Sequence, residues 1–133
     1  MNIKSEQEML AFGREFAQKI KKPAVIELVG DVGAGKTTFA RGLAEGLGVK
    51  EPVTSPSFTI SKAYALPDGG EFIHYDFYRL PEPGIMREDL EENLARLKNV
   101  IVIEWGESVL DLLPKNHYRI EIKYNEEGRE VII

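Results

Sequence analysis

The chain has 133 residues, of which 43% are hydrophobic and 29% are charged, and its formal net charge is −5. This length predicts a single domain over residues 1–133, and the acidic balance argues against a broad nucleic-acid footprint, which needs clustered lysine and arginine. We find no apolar run near the length of a membrane span, no N-terminal signal segment and no cysteine. We therefore expect a cytoplasmic protein without a membrane anchor.

The first 29 residues predict a helix followed by a buried strand. Ser5 with Glu8 three residues later is typical of a capping box at a helix start. Apolar residues at positions 9, 12, 16 and 20 then recur at helical spacing until Pro23. The short basic run 19–22 fits a solvated helix end, where cations suit the dipole. The apolar run 24–29 predicts the strand.

A glycine-rich loop follows this strand and matches the phosphate-binding pattern of Gly, four residues, and Gly-Lys-Ser/Thr. Its residues are Gly30, Asp31, Val32, Gly33, Ala34, Gly35, Lys36 and Thr37, with Thr38 next. Glycine lets backbone N–H groups approach phosphate oxygens, the lysine reaches the β and γ phosphates, and the first threonine hydroxyl suits Mg²⁺. A helix is predicted from about Lys36 to a stop at Gly48, with its positive dipole end at the phosphates. The strand–loop–helix context favours nucleotide binding over an ordinary glycine-rich turn.

The rest of the chain predicts two hairpins and a further buried strand. Strands are expected at 58–66 and 71–77, joined by a turn at 67–70, and at 118–124 and 129–133, joined by 125–128. A helix is expected over 86–98, with one face formed by Met86, Leu90, Leu94 and Leu97. The buried strand 100–103 precedes a short helix at 108–113. We expect an α/β, three-layer fold like that of P-loop NTPases, with helices flanking a mixed, mostly parallel sheet that carries antiparallel hairpins.

A phosphate-loop enzyme needs a second acidic group near Mg²⁺, usually at the end of a buried strand. Glu104 and Asp76 both stand at such ends. The pattern does not decide which of them is the direct metal ligand, or whether either is an ordinary surface carboxylate. With period two, His74, Asp76 and Tyr78 share one strand face, which looks onto the γ-phosphate, onto a partner, or is simply half-buried.

Three further features have two interpretations each. The segment 54–57 (Thr-Ser-Pro-Ser) is either a switch that orders around the γ-phosphate or ordinary turn chemistry. Trp105, the only tryptophan, either reports on nucleotide occupancy or packs in the core. Arg79 either neutralises phosphate charge or is a surface cation.

Taken together, these residues resemble the TsaE (YjeE) family of bacterial tRNA threonylcarbamoyladenosine biosynthesis proteins. The resemblance lies, in order and over most of the chain, in segments 30–38, 54–58, 74–80 and 103–105. It implies a small ATPase with ATP at the loop, Mg²⁺ on Thr37 and Glu104, and a segment around Asp76, Tyr78 and Arg79 that activity needs. The nucleotide contacts that it implies outside the loop are Glu6, Glu107 and Gly128.

The resemblance also implies TsaB and TsaD as partners, with TsaC supplying the activated carbamoyl group, and tRNA contacted only through the complex. The leading hypothesis is a slow or partner-stimulated ATPase in which Lys36, Asp76 and Glu104 are the catalytic candidates. A small-molecule kinase is a second hypothesis, but it needs an arginine-rich lid, and the arginines here do not cluster. A third is an ATP-gated binding module that hydrolyses ATP too slowly to matter.

Overall fold

A computed structural model describes residues 1–30, 35–54, 56, 60–78, 84–126 and 128–133. The strands are β1 Asn2–Ile3, β2 Ala24–Val29, β3 Ser61–Ala65, β4 Glu71–Asp76, β5 Val100–Glu104, β6 Tyr118–Asn125 and β7 Gly128–Ile132. The helices are α1 Glu6–Lys19, α2 Lys36–Leu47 and α3 Ile85–Leu94, and a 3-10 helix spans Gly106–Leu112. Over these residues the strands form one seven-stranded sheet in the order β1-β7-β6-β2-β5-β4-β3.

The centre of the sheet is parallel and its margins are antiparallel. β2 pairs in parallel with β5 and β6, and β5 pairs in parallel with β4. The hairpins β3–β4 and β6–β7 are antiparallel, and β1, which the sequence did not predict, pairs with β7. The predicted mixed sheet is therefore confirmed. Because parallel strands end at the same sheet edge, Val29, Asp76 and Glu104 all finish on one side of the molecule.

Helices cover both faces of the sheet, which confirms the three predicted layers. On one face α1 and α2 bury an aromatic cluster in which the Phe39 ring lies 5.5 Å from Phe12 and 5.8 Å from Phe16. On the other face α3 and the 3-10 helix pack over residues such as Tyr75 and Ile103. Within the described ranges, no helix has the length and apolar character needed to cross a bilayer.

The packing of α1 against α2 positions the first turn of α2. Ser5 caps α1 through its Oγ, which accepts from the backbone N–H of Glu8, as the capping pattern predicts. Gly42 lets the two helices approach closely, since a Cβ there would lie 2.3 Å from the Leu10 carbonyl oxygen. Gly48 ends α2 in a left-handed conformation with φ 95°, as expected. The first turn of α2 is thereby fixed beside the end of β2.

The third helix and the first hairpin strand are shorter than predicted. α3 ends at Leu94, and Leu97 is 75% exposed. The prediction that Leu97 belongs to the apolar face of this helix was therefore wrong. The helix stops because the Asn99 side chain donates to the Asn93 carbonyl oxygen at 3.2 Å. β3 begins at Ser61, since Ile60 has φ 67° and cannot continue a strand. Positions 58 and 59 lie outside the described residues.

Candidate nucleotide site

Lys36 is the first residue of α2 and points back over the phosphate loop. It is 7% exposed, and its Nζ donates to the Gly30 carbonyl oxygen at 2.7 Å. The same Nζ lies 3.3 Å from Oε1 of Glu104 and 4.6 Å from the ring centroid of Trp105. Gly35 precedes it with φ 108°, a conformation that favours glycine. The loop residues 31–34, which include the predicted Asp31, Val32, Gly33 and Ala34, lie outside the described part of the chain.

Glu104 is the last residue of β5 and is only 4% exposed. Its Oε1 faces Lys36, and its Oε2 lies 2.5 Å from Nε2 of His74. Burial acts to raise the pKa of Glu104, but the hydrogen bond from His74 and the charge of Lys36 outweigh it and hold that pKa below its usual value. Glu104 is therefore an ionised carboxylate whose two oxygens each have a partner.

Asp76 lies beside Glu104 but its carboxylate is used differently. The two residues are partners in the β4–β5 register, so they share a sheet face, as do His74 and Asp76. Asp76 Oδ1 accepts from the Tyr78 backbone N–H at 3.0 Å. The Tyr78 ring then packs 4.8 Å from that of Trp105, which adopts φ 56° directly after β5. Tyr78 is therefore linked to Lys36 through the Trp105 ring, which lies against the lysine ammonium.

A groove of about 350 Å³ opens beside the loop, and we call it the β1 groove. It is lined by Ile3, Lys4, Ser5, Glu6, Met9, Gly35, Thr38, Gly128 and Arg129. The pairing of β1 with β7 is what places Gly128 next to the start of α1. Two of the three predicted contacts outside the loop, Glu6 and Gly128, thus lie with Gly35 and Thr38. Glu107 is exposed on the 3-10 helix and does not line this groove.

A second groove, of about 420 Å³, runs along α2 from Thr37 to Thr54, and we call it the α2 groove. Thr54 is held from β3, because its backbone N–H donates to the Tyr64 hydroxyl and Lys62 Nζ donates to its Oγ1 at 2.5 Å. The predicted switch segment therefore begins at the wall of the same groove that Thr37 lines. The rest of that segment except Pro56, and also Arg79, lie outside the described residues.

The donor set at the loop fits a hard cation such as Mg²⁺. In the described ranges no three His, Asp or Glu side chains gather into a group that could enclose a metal ion by themselves. Mg²⁺ needs no such group, since it usually keeps several waters and binds one or two protein oxygens together with substrate phosphates. The Thr37 hydroxyl and the ionised Glu104 carboxylate are oxygen donors of this type.

The contact that sequence reasoning missed is the one between His74 and Glu104. The available signal was the period-two alternation, which places His74 and Asp76 on one face of β4. That signal does not reveal the register between β4 and β5, and the register is what brings the imidazole to the carboxylate. The prediction of a strand-end acid beside the phosphate loop did not need it, because the motif and the strand ends lie at the same sheet edge.

Comparison with known proteins gives concordant matches. A family model described as "Threonylcarbamoyl adenosine biosynthesis protein TsaE" matches residues 3–131. The tRNA threonylcarbamoyladenosine biosynthesis protein TsaE of Streptomyces coelicolor is 41% identical over 115 residues, which cover 86% of this chain and 78% of that protein. The protein of the same name from Haemophilus influenzae is 33% identical, with 97% of this chain and 84% of the relative covered.

A solved structure agrees with these sequence matches. The crystal structure of Bacillus subtilis YdiB superimposes with a TM-score of 0.75 and 34% sequence identity, covering 96% of this chain and 78% of that one. The resemblance drawn from the four sequence segments is thus confirmed, and the chain belongs to the TsaE family.

Proposed function

We propose that this chain is a Mg²⁺-dependent, ATP-binding and ATP-hydrolysing subunit of the system that makes threonylcarbamoyladenosine in tRNA. The observation that carries the proposal is the meeting of Lys36 and Glu104, 3.3 Å apart, where the phosphate loop joins α2. The names of the relatives supply the process, tRNA threonylcarbamoyladenosine biosynthesis. The site supplies the chemistry by which the chain would contribute to it.

Lys36 has the position needed to exchange its protein partners for phosphate oxygens. Its ammonium donates to the Gly30 carbonyl oxygen and forms an ion pair with Glu104. A triphosphate offers more negative charge than these groups, and the N-terminus of α2 adds its own positive end. When bound, Mg²⁺ would be held by Thr37 and Glu104 and would neutralise charge on the transferred phosphoryl group.

Glu104 is a better candidate than Asp76 for the direct metal ligand. Its carboxylate reaches the phosphate-loop lysine, whereas the Asp76 carboxylate accepts a hydrogen bond from the Tyr78 backbone. Asp76 stands beside Glu104 in the sheet register and remains our candidate for orienting the attacking water. The distance between the Asp76 carboxylate and the γ-phosphate depends on how the nucleotide lies in the site.

The β1 groove would take the nucleoside end of ATP. Its wall contains Glu6, Thr38 and Gly128 together with Gly35, the residue that joins it to the phosphate loop. Glu107 is proposed as a further contact only from the family resemblance. We propose TsaB and TsaD as the partners through which hydrolysis acts, with tRNA contacted through them.

The test combines binding and turnover of ATP in the same samples. ATP binding is followed by calorimetry and by the fluorescence of Trp105, and phosphate release is measured alone and with the purified TsaB–TsaD pair. We expect Mg²⁺-dependent binding, turnover that the partners raise, and loss of both in Lys36→Ala. Lys115→Ala is the control, because Lys115 is an exposed cation in the turn that precedes β6, on the opposite sheet edge.

Two results would overturn parts of this proposal separately. Binding without turnover, even in the presence of the partners, would leave an ATP-gated binding module in place of an ATPase. Binding that Lys36→Ala does not weaken would remove the phosphate loop from the mechanism altogether.

A further inference from the structure

The imidazole of His74 is completely buried beneath the proposed metal ligand. His74 is 0% exposed, and its Nε2 lies 2.5 Å from Oε2 of Glu104. Because Glu104 is ionised, its carboxylate accepts this hydrogen bond and Nε2 carries the proton. The bond joins β4 to the end of β5, and His74 stands two residues before Asp76, the register partner of Glu104.

The two ring nitrogens of His74 have different surroundings. Nδ1 of His74 is buried and has no hydrogen-bond partner in the part of the chain that the structure describes. An unsatisfied buried polar atom costs about 1–3 kcal/mol, which an apolar side chain of similar size would avoid. The other histidine, His117, shows the contrast, since its Nδ1 lies 2.7 Å from the Pro114 carbonyl oxygen and its Nε2 lies 3.2 Å from Glu27. Among the described residues, the contact with Glu104 is therefore the polar interaction that the His74 side chain makes.

We propose that His74 is a positioning residue: its Nε2–H holds Oε2 of Glu104, so that Oε1 is presented to Lys36 and to the cation of the phosphate loop. The inference rests on the proposed function, in which Glu104 binds Mg²⁺. The terminal torsion of a glutamate side chain is broad, so without a donor the carboxylate plane is free to turn. Groups that orient a metal ligand in this way typically contribute 10–100-fold in metal affinity.

The hydrogen bond itself is tested in the nucleotide-free protein by ¹H–¹⁵N NMR of the imidazole rings. Since the chain has only two histidines, the His117→Gln variant assigns both. We expect a slowly exchanging Nε2 proton on His74 that moves upfield in Glu104→Gln, because a neutral amide is a weaker acceptor. Glu27→Gln is the matched control and leaves that proton in place. An His74 ring protonated only at Nδ1, or a proton that ignores Glu104→Gln, would refute the bond.

The positioning role is tested with two amides of different reach. His74→Gln places an amide nitrogen near the position of Nε2, whereas His74→Asn places it near Nδ1, away from Glu104. With saturating ATP, we expect Asn to raise the Mg²⁺ concentration that half-saturates the Trp105 fluorescence change by about 10–100-fold, and Gln to restore most of the loss. ATP affinity in EDTA stays the same in both variants, and urea unfolding checks that both fold.

The outcomes separate this inference from the function on which it rests. If the wild-type protein binds ATP without any response to Mg²⁺, the proposed function fails and the inference fails with it. If the wild type responds and the Gln and Asn variants lose equal Mg²⁺ affinity, only the positioning role of His74 is refuted.

Discussion

Replacing Glu104 with glutamine should lower the free energy of unfolding of the protein without nucleotide. At the same time, it should increase the affinity for ATP in the absence of Mg²⁺. The carboxylate has two roles in the site, as counter-ion to the buried Lys36 and as the proposed ligand of Mg²⁺. Glutamine keeps the shape and one oxygen but removes the charge. The two roles predict effects of opposite sign, so a single substitution tests them together.

The magnitudes follow from the contact of 3.3 Å between Lys36 Nζ and Glu104 Oε1. With an effective dielectric constant of about 20, this pair attracts by about 5 kcal/mol before the cost of desolvation. Removing one partner of a buried pair typically costs about 3–5 kcal/mol, and the Gly30 carbonyl oxygen still serves Lys36, so we expect a loss of about 3 kcal/mol in the free energy of unfolding. Without Mg²⁺ the phosphates no longer meet a like charge, and we expect ATP to bind about tenfold more tightly, which is about 1.4 kcal/mol.

The assay is calorimetry of ATP in EDTA and in excess Mg²⁺, with urea unfolding of the same samples. Glu104→Gln should lose the gain in affinity that Mg²⁺ gives the wild type, whereas Lys36→Ala should lose affinity in both buffers. Glu27→Gln is the matched control, because Glu27 is also buried and also faces a histidine, His117, on the opposite face of the sheet. The reasoning is refuted if Glu104→Gln weakens binding in EDTA as Lys36→Ala does, or if it keeps the full response to Mg²⁺.

Three further predictions concern the scaffold around the site. Burial and a hydrogen bond to Asp89 raise the pKa of Tyr75, so its phenol ionises in the unfolded chain before it does in the folded one. The free energy of unfolding should therefore fall as pH rises past about 10. Tyr75→Phe should flatten that fall in urea titrations at increasing pH, and an unchanged pH dependence would contradict the prediction. Gly42→Ala should lower the free energy of unfolding by about 1–3 kcal/mol despite the better helix propensity of alanine, because its Cβ meets the Leu10 backbone. A variant that is more stable in thermal unfolding would show that α1 can shift. Gly128→Ala should weaken ATP binding severalfold, since Gly128 has φ 137° and its contact with the β1 backbone leaves no room for a side chain beside the β1 groove. An unchanged ATP affinity in calorimetry would show that this groove is not part of the ATP site.

The parallel core could be predicted from sequence because each of its elements is specified locally. The apolar runs that became β2 and β5 are too continuous for a half-exposed strand, and Ser5 and Gly48 mark helix ends by their own chemistry. The predicted end of α3 was wrong because that end is not specified by the local sequence pattern. It depends on the Asn99 side chain, which folds back to the Asn93 carbonyl oxygen, and helical spacing of apolar residues gives no sign of such a contact.

In the candidate site, too, locally specified residues could be predicted and contacts between distant segments could not. The sequence predicted Lys36 from its motif and a strand-end acid near it, but it did not choose between Glu104 and Asp76. Glu6 and Gly128 lie at opposite ends of the chain, and only the family resemblance suggested that they act together. Their meeting requires β1 to pair with β7, a two-residue strand with no signal of its own. Pairing between distant segments is decided by the whole sheet and is therefore the part that local patterns do not predict.

One chain of contacts links the phosphate loop to the protein surface. Lys36 touches Glu104 on one side and the Trp105 ring on the other, and Trp105 packs against Tyr78, which is 52% exposed. A nucleotide that draws Lys36 away from Glu104 must also change the position of its charge over the indole. We therefore expect ATP binding to change the surroundings of the Trp105 ring and of the Tyr78 ring packed on it. This geometry is the reason for choosing Trp105 fluorescence to follow ATP binding, and a signal that ATP leaves unchanged would show that Lys36 keeps its place over the indole.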